Sequence, residues 1–244
     1  MARGVFVTGT DTEVGKTVVS AALVLALRDE GVDAGYLKPV ASGGVELGGR
    51  LISPDALTVA RLTGLPDPLD QLSPYCLKHP LAPLVAGRLE GWKTPISQVL
   101  KVTHQAMTSH DFTVVEGVGG VMVPVTSRHI LLDLIVDLGF PVIIVGRPGL
   151  GTINLTLLTI HAVRDRGVKV LGFIFSGPDP NLPEDPAITH NPGIITEFSG
   201  IPYLGNLPWR TQAGEEELSG PDLSRAAREH LDLAPLLDLT GRGR

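Results

Sequence analysis

The chain has 244 residues, 43% of them hydrophobic and 19% charged, enough for one sizeable core, so a single α/β domain over 1–244 is expected. A formal net charge of −6 argues against non-specific nucleic-acid binding and against an anionic membrane surface. Cys76 is the lone cysteine, which excludes an internal disulfide and a thiolate zinc site.

The first predicted element is the apolar strand 4–8, followed by the loop Gly9–Thr17, GTDTEVGKT, and a helix over 15–30. A strand, a tight loop and a helix opening on Gly-Lys-Thr form a holder for phosphates. Backbone N–H groups of 12–17 can wrap a phosphate chain, with Lys16 at its terminal phosphates and the Thr17 hydroxyl on Mg²⁺. The usual Walker spacing has glycine six residues before the lysine, where this chain has Thr10. Asp11 and Glu13 put negative charge on a loop that should hold anions; they either offset nearby cations, line a path for a cationic substrate, or only bond within the loop.

Next comes a strand over 35–40 with the loop 38–44 after it, then a helix over 53–63. Lys38 near the end of that strand is most simply a solvent-exposed strand end. Asp55 follows Ser53-Pro54, so it reads as a helix N-terminal acid. A helix over 95–109 leads to the strand 112–116, which ends in Glu116, the place of a Walker-B-type carboxylate. Gly117, Gly119 and Gly120 then bring backbone close to a ligand or merely make a turn. A helix over 130–138, a strand over 141–146, a helix over 151–166 and a strand over 168–175 complete the regular part.

The strands are continuous apolar runs rather than alternating ones, which signals a parallel sheet covered on both faces. The expected fold is therefore α/β: one doubly wound, mostly parallel sheet with helices on both faces, like the P-loop NTPases. Ligands then sit at the carboxyl ends of the strands, where the loops 9–17, 38–44, 116–121 and 146–152 fall. Residues 177–187 are a proline-rich loop, a helix is expected near 188–199, residues 213–221 are acidic, and 222–232 suggest a further helix. The tail from about 238 to 244 is expected to be irregular. No apolar stretch reaches the ~20 residues of a membrane span. With the phosphate motif beginning by residue 9, no signal segment is apparent, so a cytoplasmic protein is expected.

The string VTGTDTEVGKT resembles the signature of the dethiobiotin synthetase family. Further strings follow in that family's order: GYLKPVASG at 35–43, SPDAL at 53–57, PLAP at 80–83, VVEGVGG at 114–120, GRPGLGTIN at 146–154 and LGNLPW at 204–209. The resemblance implies an ATP- and Mg²⁺-dependent ligase that closes the cyclic urea of dethiobiotin from diaminopelargonic acid and CO₂. It implies catalytic roles for Thr12, Lys16, Lys38 and Ser42, and metal ligation by Thr17, Asp55 and Glu116. Nucleotide contacts fall by resemblance on Glu13, Val14, Gly15, Lys16, Thr17, Val18, Asp55, Glu116, Gly117, Val118 and Gly119, and at the base end on Ser176, Gly177, Leu207, Pro208 and Trp209.

The family's organic substrate is implied to meet Thr12, Lys38 and Ser42, and also Leu150, Gly151, Thr152, Ile153 and Asn154. Free N–H groups at that helix start suit a carboxylate, although ordinary helix capping would use them too. In the family this end reaches the site of a second subunit, which implies a homodimer. Asn191, at the expected start of the helix near 188–199, is a further candidate for the same carboxylate.

The chain departs from the family pattern after the strand 168–175. Ser176-Gly177 stands where relatives read Asn-Asp, and one hydroxyl cannot replace an amide's donor and acceptor. Two other readings of the fold meet features that oppose them. A partition-type ATPase carries a lysine five positions before the loop lysine, where this chain has Asp11; a cobyrinate-type amidoligase needs a glutaminase domain that does not fit, and Cys76 lacks nucleophile context. A regulatory nucleotide switch without chemistry stays open as the alternative. The seven histidines lack metal-ligand spacing; His161 reads as packing or surface and His79 as a loop residue.

Overall fold

The computed structural model describes residues 3–93, 95–177, 186–208 and 218–241. In chain order the elements are β1 (Arg3–Gly9), α1 (Lys16–Asp29), β2 (Ala34–Leu37), β3 (Val40–Ser42), β4 (Val45–Leu47), β5 (Arg50–Ile52), α2 (Pro54–Thr63), α3 (Leu69–Leu72), β6 (Tyr75–Leu77), α4 (Pro83–Glu90) and α5 (Ile96–Ala106). They continue with β7 (Phe112–Gly120), α6 (Leu131–Leu138), β8 (Val142–Gly146), α7 (Thr152–Asp165), β9 (Val170–Gly177), α8 (Pro186–Ser199), β10 (Tyr203–Pro208), α9 (Gly220–His230) and α10 (Ala234–Thr240).

Six strands form one sheet in the order β10-β9-β8-β1-β7-β2, and every neighbouring pair is parallel. The expected parallel, doubly wound sheet is thus the observed one. The period of two along each strand divides its side chains between two cores. Val5 and Val7 join a core beneath α1, α2, α9 and α10, while Phe6 joins a second core beneath α5, α6, α7 and α8. Val5, Phe6 and Val7 have no exposed surface. Burying such apolar side chains on both faces, at about 25 cal/mol per Å², is what drives the layering.

Some expected boundaries shift. The strand 35–40 divides into β2 and β3 at Lys38-Pro39, because proline has no N–H to continue the ladder. Strand β7 does not end at Glu116 but runs to Gly120, and Glu116 pairs with Val7 in mid-strand. The periodic signal also missed β10, a sheet edge that is only partly apolar. The helix near 188–199 begins earlier, at Pro186, so Asn191 lies inside it rather than at its start. Asp238 to Thr240 belong to α10, so helix stands where the irregular tail was expected to begin; 242–244 lie outside the described residues. Among the described residues no helix is long and apolar enough to cross a membrane.

Because every strand of the sheet is parallel, the carboxyl ends of β1, β7, β8 and β9 open on one edge. The neighbours of β1 there are β7 and β8, so three of the expected loops meet at that place.

Candidate active site

The loop after β1 turns into α1 through Gly15, whose φ of 92° lies in the left-handed region that glycine adopts freely. That turn brings Lys16 and Thr17 to the first helical turn. Lys16 is buried, and its Nζ donates to the Asp11 carbonyl at 2.7 Å. Burial, followed by the nearby Lys38 charge, lowers the Lys16 pKa to about 8.

Asp55 is set by a local device. Ser53 caps α2, its Oγ accepting from the Ala56 N–H at 3.3 Å, and Pro54 occupies the first helical position. Asp55 therefore acts as a first-turn acid and also faces the loop. Glu116, from the middle of β7, has no exposed surface.

These groups converge, although Thr17, Asp55 and Glu116 are far apart in the chain. The Thr17 hydroxyl lies 2.9 Å from Asp55 Oδ1 and 3.0 Å from Glu116 Oε1, and its single proton serves one of them at a time. Lys38 Nζ lies 2.6 Å from Glu116 Oε1 and 2.8 Å from Asp55 Oδ2, and donates to the Gly117 carbonyl at 3.4 Å. Burial on its own would lower the Lys38 pKa, but Glu116 and Asp55 outweigh it and raise it. Burial would raise Asp55, but the Lys38 charge, the bonds from Lys38 and Thr17, and the Lys16 charge lower it. Lys38 is thus not a solvated strand end: the residue is 4% exposed and its ammonium is paired with two carboxylates.

Two groups of this site were not singled out from the sequence. Tyr36 on β2 is buried, and its phenol donates to Glu116 Oε2 at 2.9 Å. Burial, then Glu116, pushes that phenol well above its ordinary pKa, so it remains a neutral donor. The signal was there: Tyr36 and Lys38 are two residues apart and share one face of an extended chain. Arg147, just after β8, donates to the carbonyls of Thr12 and Glu13 at 3.3 and 3.4 Å, tying the loop after β8 to the loop after β1. A cation directly after a strand's carboxyl end was the cue there.

The other expected residues fall into groups. Thr12 and Glu13 are exposed on the loop, and Glu13 has φ 53°. Asp11 turns its carboxylate onto the Thr12 N–H at 2.7 Å, a bond within the loop. Val14 is buried in the core, Val18 is half-buried on α1, and Ser42 is half-buried on β3. Gly117 has a packing role: a Cβ there would come within 2.8 Å of Leu131 and 2.9 Å of Phe6. Gly119 takes a positive φ of 63° beside the half-buried Val118.

At the base end, Ser176 pairs with Leu207 and Gly177 with Pro208 along β9 and β10. Leu207 has no exposed surface, backbone included, so a ligand reaches its backbone only after a local rearrangement. The hydroxyl of Ser176 and the amide of Asn206 are buried polar groups without a hydrogen-bond partner among the described residues. Trp209 lies outside the described residues.

The loop after β8 enters α7 through Gly151, again at φ 92°. Thr152 is buried against Thr156, Ile153 is half-buried, and Asn154 is exposed without a hydrogen bond to the described residues. Leu150 is 98% exposed. Asn191 does not join this set as a ligand group. It is buried, and its Nδ2 donates to the carbonyls of Pro148 and Gly149 at 2.9 and 3.1 Å. Its amide nitrogen is spent on shaping the loop, because position 191 in mid-helix faces that loop rather than the solvent.

The donor set Thr17, Asp55 and Glu116 is all oxygen, gathered within 3.0 Å of one hydroxyl. That chemistry fits Mg²⁺, which takes hard oxygen ligands beside phosphate oxygens.

Several known proteins are similar to this chain over most of its length. A family described as an AAA domain matches residues 3–217. The ATP-dependent dethiobiotin synthetase BioD of Thermodesulfovibrio yellowstonii is 35% identical over 98% of this chain and 100% of its own length. The proteins of the same name from Anaeromyxobacter sp. (strain K) and Bacillus subtilis (strain 168) are 40% and 34% identical, covering 93% and 98% of this chain and 94% and 99% of their own. Among solved structures, the MinC:MinD cell division protein complex of Aquifex aeolicus matches with a TM-score of 0.55 at 14% identity, covering 93% of this chain and 95% of that one. The cell division ATPase MinD of Pyrococcus furiosus matches with a TM-score of 0.54 at 15% identity, covering 94% and 98%. At those identities the likeness is one of fold.

Proposed function

The chain belongs to the ATP-dependent dethiobiotin synthetase family, and from that premise we propose how its residues carry out the ring closure that the family name describes. The chain is an ATP-dependent cyclo-ligase of biotin biosynthesis. The observation that carries the detailed reading is the meeting of Thr17, Lys38, Asp55 and Glu116 within hydrogen-bond distance beside the phosphate loop.

In this reading one amine of diaminopelargonic acid takes up CO₂ and loses a proton to give a carbamate. The carbamate oxygen attacks the γ-phosphorus of ATP, the bond to the β,γ-bridging oxygen breaks, and ADP leaves. The second amine attacks the carbonyl carbon of the resulting carbamic–phosphoric anhydride. Phosphate departs with the C–O electron pair, the amine proton is lost, and the cyclic urea closes. Positioning and charge neutralisation are the protein's main tasks in phosphoryl transfer.

Lys16 holds the terminal phosphates from the helix start. Lys38, next to Ser42 on the following strand, faces the transferred group from the opposite side. Magnesium held by Thr17, Asp55 and Glu116 would supply charge neutralisation at the phosphate oxygens. The cations also act on the substrate. An alkyl amine with a pKa near ~10.4 is neutral to about one part in 10³ at pH 7. Lys16 and Lys38 nearby disfavour its ammonium form by like-charge repulsion. Thr12 and Ser42 border the same amines.

The substrate's carboxylate lies about a chain length away, at the α7 start of a second subunit. Gly151 and Ile153 offer N–H groups there and Asn154 its amide, while the Thr152 N–H, which donates to the Gly149 carbonyl at 3.3 Å, must exchange that partner to join them. Support comes from the exposed apolar side chains around that element: Leu150 at 98%, Leu158 at 60% and, on the adjacent α8, Phe198 at 69%. A homodimer would cover them.

At the base end, Ser176-Gly177 removes the amide that relatives use for adenine, and backbone groups of Leu207, Pro208 and Trp209 take over recognition. Nucleotide choice is then looser: CTP and GTP support turnover at rates comparable with ATP, and a strong ATP preference would count against this point. The function as a whole is tested by incubating the protein with diaminopelargonic acid, ATP, Mg²⁺ and bicarbonate and reading the product mass. A cyclic urea is expected. ATP binding without product would return the chain to a nucleotide switch.

A further inference from the structure

We propose that Tyr36 is a positioning residue of this site: its phenol O–H holds Glu116 Oε2, so that Oε1 stays turned toward Thr17 and the metal-binding side. The proposal rests on the functional reading above for the meaning of that side, and on side-chain geometry for the contact.

The two oxygens of Glu116 have divided surroundings. Oε1 receives Lys38 Nζ at 2.6 Å and the Thr17 hydroxyl at 3.0 Å. Oε2 receives the Tyr36 hydroxyl at 2.9 Å, and no other described group donates to it. Glu116 has no exposed surface, so water does not substitute for a missing donor. Register explains the contact. Tyr36 pairs with Val114 across β2 and β7, and Glu116 lies two residues further along β7, on the same face of the sheet.

A tyrosine placed only for packing would be as well served by phenylalanine. A buried hydroxyl needs a partner, and the partner it has is the carboxylate that would complete the metal donor set. Groups that orient a metal ligand from behind typically change metal affinity by about 10–100-fold when removed. Tyr36 has that position without itself facing the phosphate loop.

The test is Tyr36→Phe, which deletes one oxygen. Free Mn²⁺ is measured by EPR in mixtures of the protein, ADP and Mn²⁺. Mn²⁺ affinity is expected to weaken about tenfold, while ADP affinity without metal is unchanged, because the hydroxyl removed bonds Glu116 and not the phosphate loop. Turnover should fall with the KM for the diamine unchanged. In a Glu116→Gln background the same substitution should have no further effect on Mn²⁺ affinity. Wild-type Mn²⁺ affinity in Tyr36→Phe overturns the proposal, and so does an equal loss in both backgrounds. A lowered thermal midpoint with unchanged Mn²⁺ affinity identifies a packing role and also overturns it. The Mn²⁺ measurement does not need product, so a wild-type protein that forms no cyclic urea would sink the functional reading and leave this comparison readable.

Discussion

Two adjacent strands of this protein end in the same backbone device. Behind β1, Gly15 at φ 92° starts α1; behind β8, Gly151 at φ 92° starts α7. Both helices follow a strand of the same parallel sheet, and a helix start is a place where an anion can be held. Their side chains differ. At α1 the following residues are Lys16 and Thr17, which meet Lys38, Asp55 and Glu116 inside one chain. At α7 they are Thr152, Ile153 and Asn154, with no charge, and Leu150 before them stands in solvent. The backbone device is shared, and the side chains around it differ.

The comparison breaks most sharply at Lys38. Lys38→Ala should lower turnover about 10³-fold while ATP affinity changes only a few-fold, because the phosphate loop stays intact. Steady-state kinetics alongside calorimetric ATP binding checks this, and near-normal turnover would remove Lys38 from the chemistry.

Asn154→Ala probes the other helix start. It should raise the KM for the diamine about tenfold, the loss of one hydrogen bond to a charged group, and leave ATP binding alone. If the two starts act across a subunit boundary, mixing and refolding Lys38→Ala with Asn154→Ala should restore about a quarter of the wild-type sites, since half the dimers are mixed and each has one complete site. Activity no higher than the average of the two separate variants would place both starts in one subunit's site.

Proton linkage sharpens the contrast, since only α1 carries a titrating group. Lys16 sits at about 8 in the ligand-free protein because burial, then Lys38, disfavours its ammonium. Phosphates favour that ammonium, so its pKa rises in the complex. Below pH 8 the proton is already present and ATP affinity is flat. Above it, binding must take up a proton, and affinity should fall by up to about tenfold per pH unit. Calorimetry in buffers of different ionisation enthalpy reads the uptake directly; none at pH 9 would show that Lys16 stays charged when free. Binding at the α7 start should show no such step.

The smallest expected effect is the one that should be equal in both places. Gly15→Ala and Gly151→Ala each force an L side chain into the left-handed region, at a cost of about 1–2 kcal/mol. Thermal unfolding should report similar losses, whereas only the first variant should lose nucleotide binding. Unequal midpoints would mean that the two turns are not mechanically alike.

The local devices were legible in the chain itself. The strand 4–8, the Gly-Lys-Thr turn, the Ser53-Pro54 start that holds Asp55 and the parallel sheet follow from short-range rules, and the structure has them. Glu116 was recognisable by its motif, yet not as a mid-strand residue, because apolar periodicity stops at a carboxylate even where the ladder continues through it. Asn191 was misread for a related reason. A helix boundary moved, and with it the direction of one amide, which now clasps the Pro148 and Gly149 carbonyls. Tyr36 was not singled out: its spacing from Lys38 marks a shared face, but only the pairing of β2 with β7 puts a carboxylate across from it.

By itself the sequence determined which residues can hold phosphate, metal and cation, because capping, left-handed glycine turns and residue chemistry act over a few positions. Only the tertiary structure decided which of them meet. Setting β1 between β7 and β8 brings together side chains that are scores of residues apart, and the register of β2 on β7 selects Tyr36 as the partner of Glu116. Such contacts depend on strand order and on burial that removes competing water, and neither quantity is a property of any short stretch of chain.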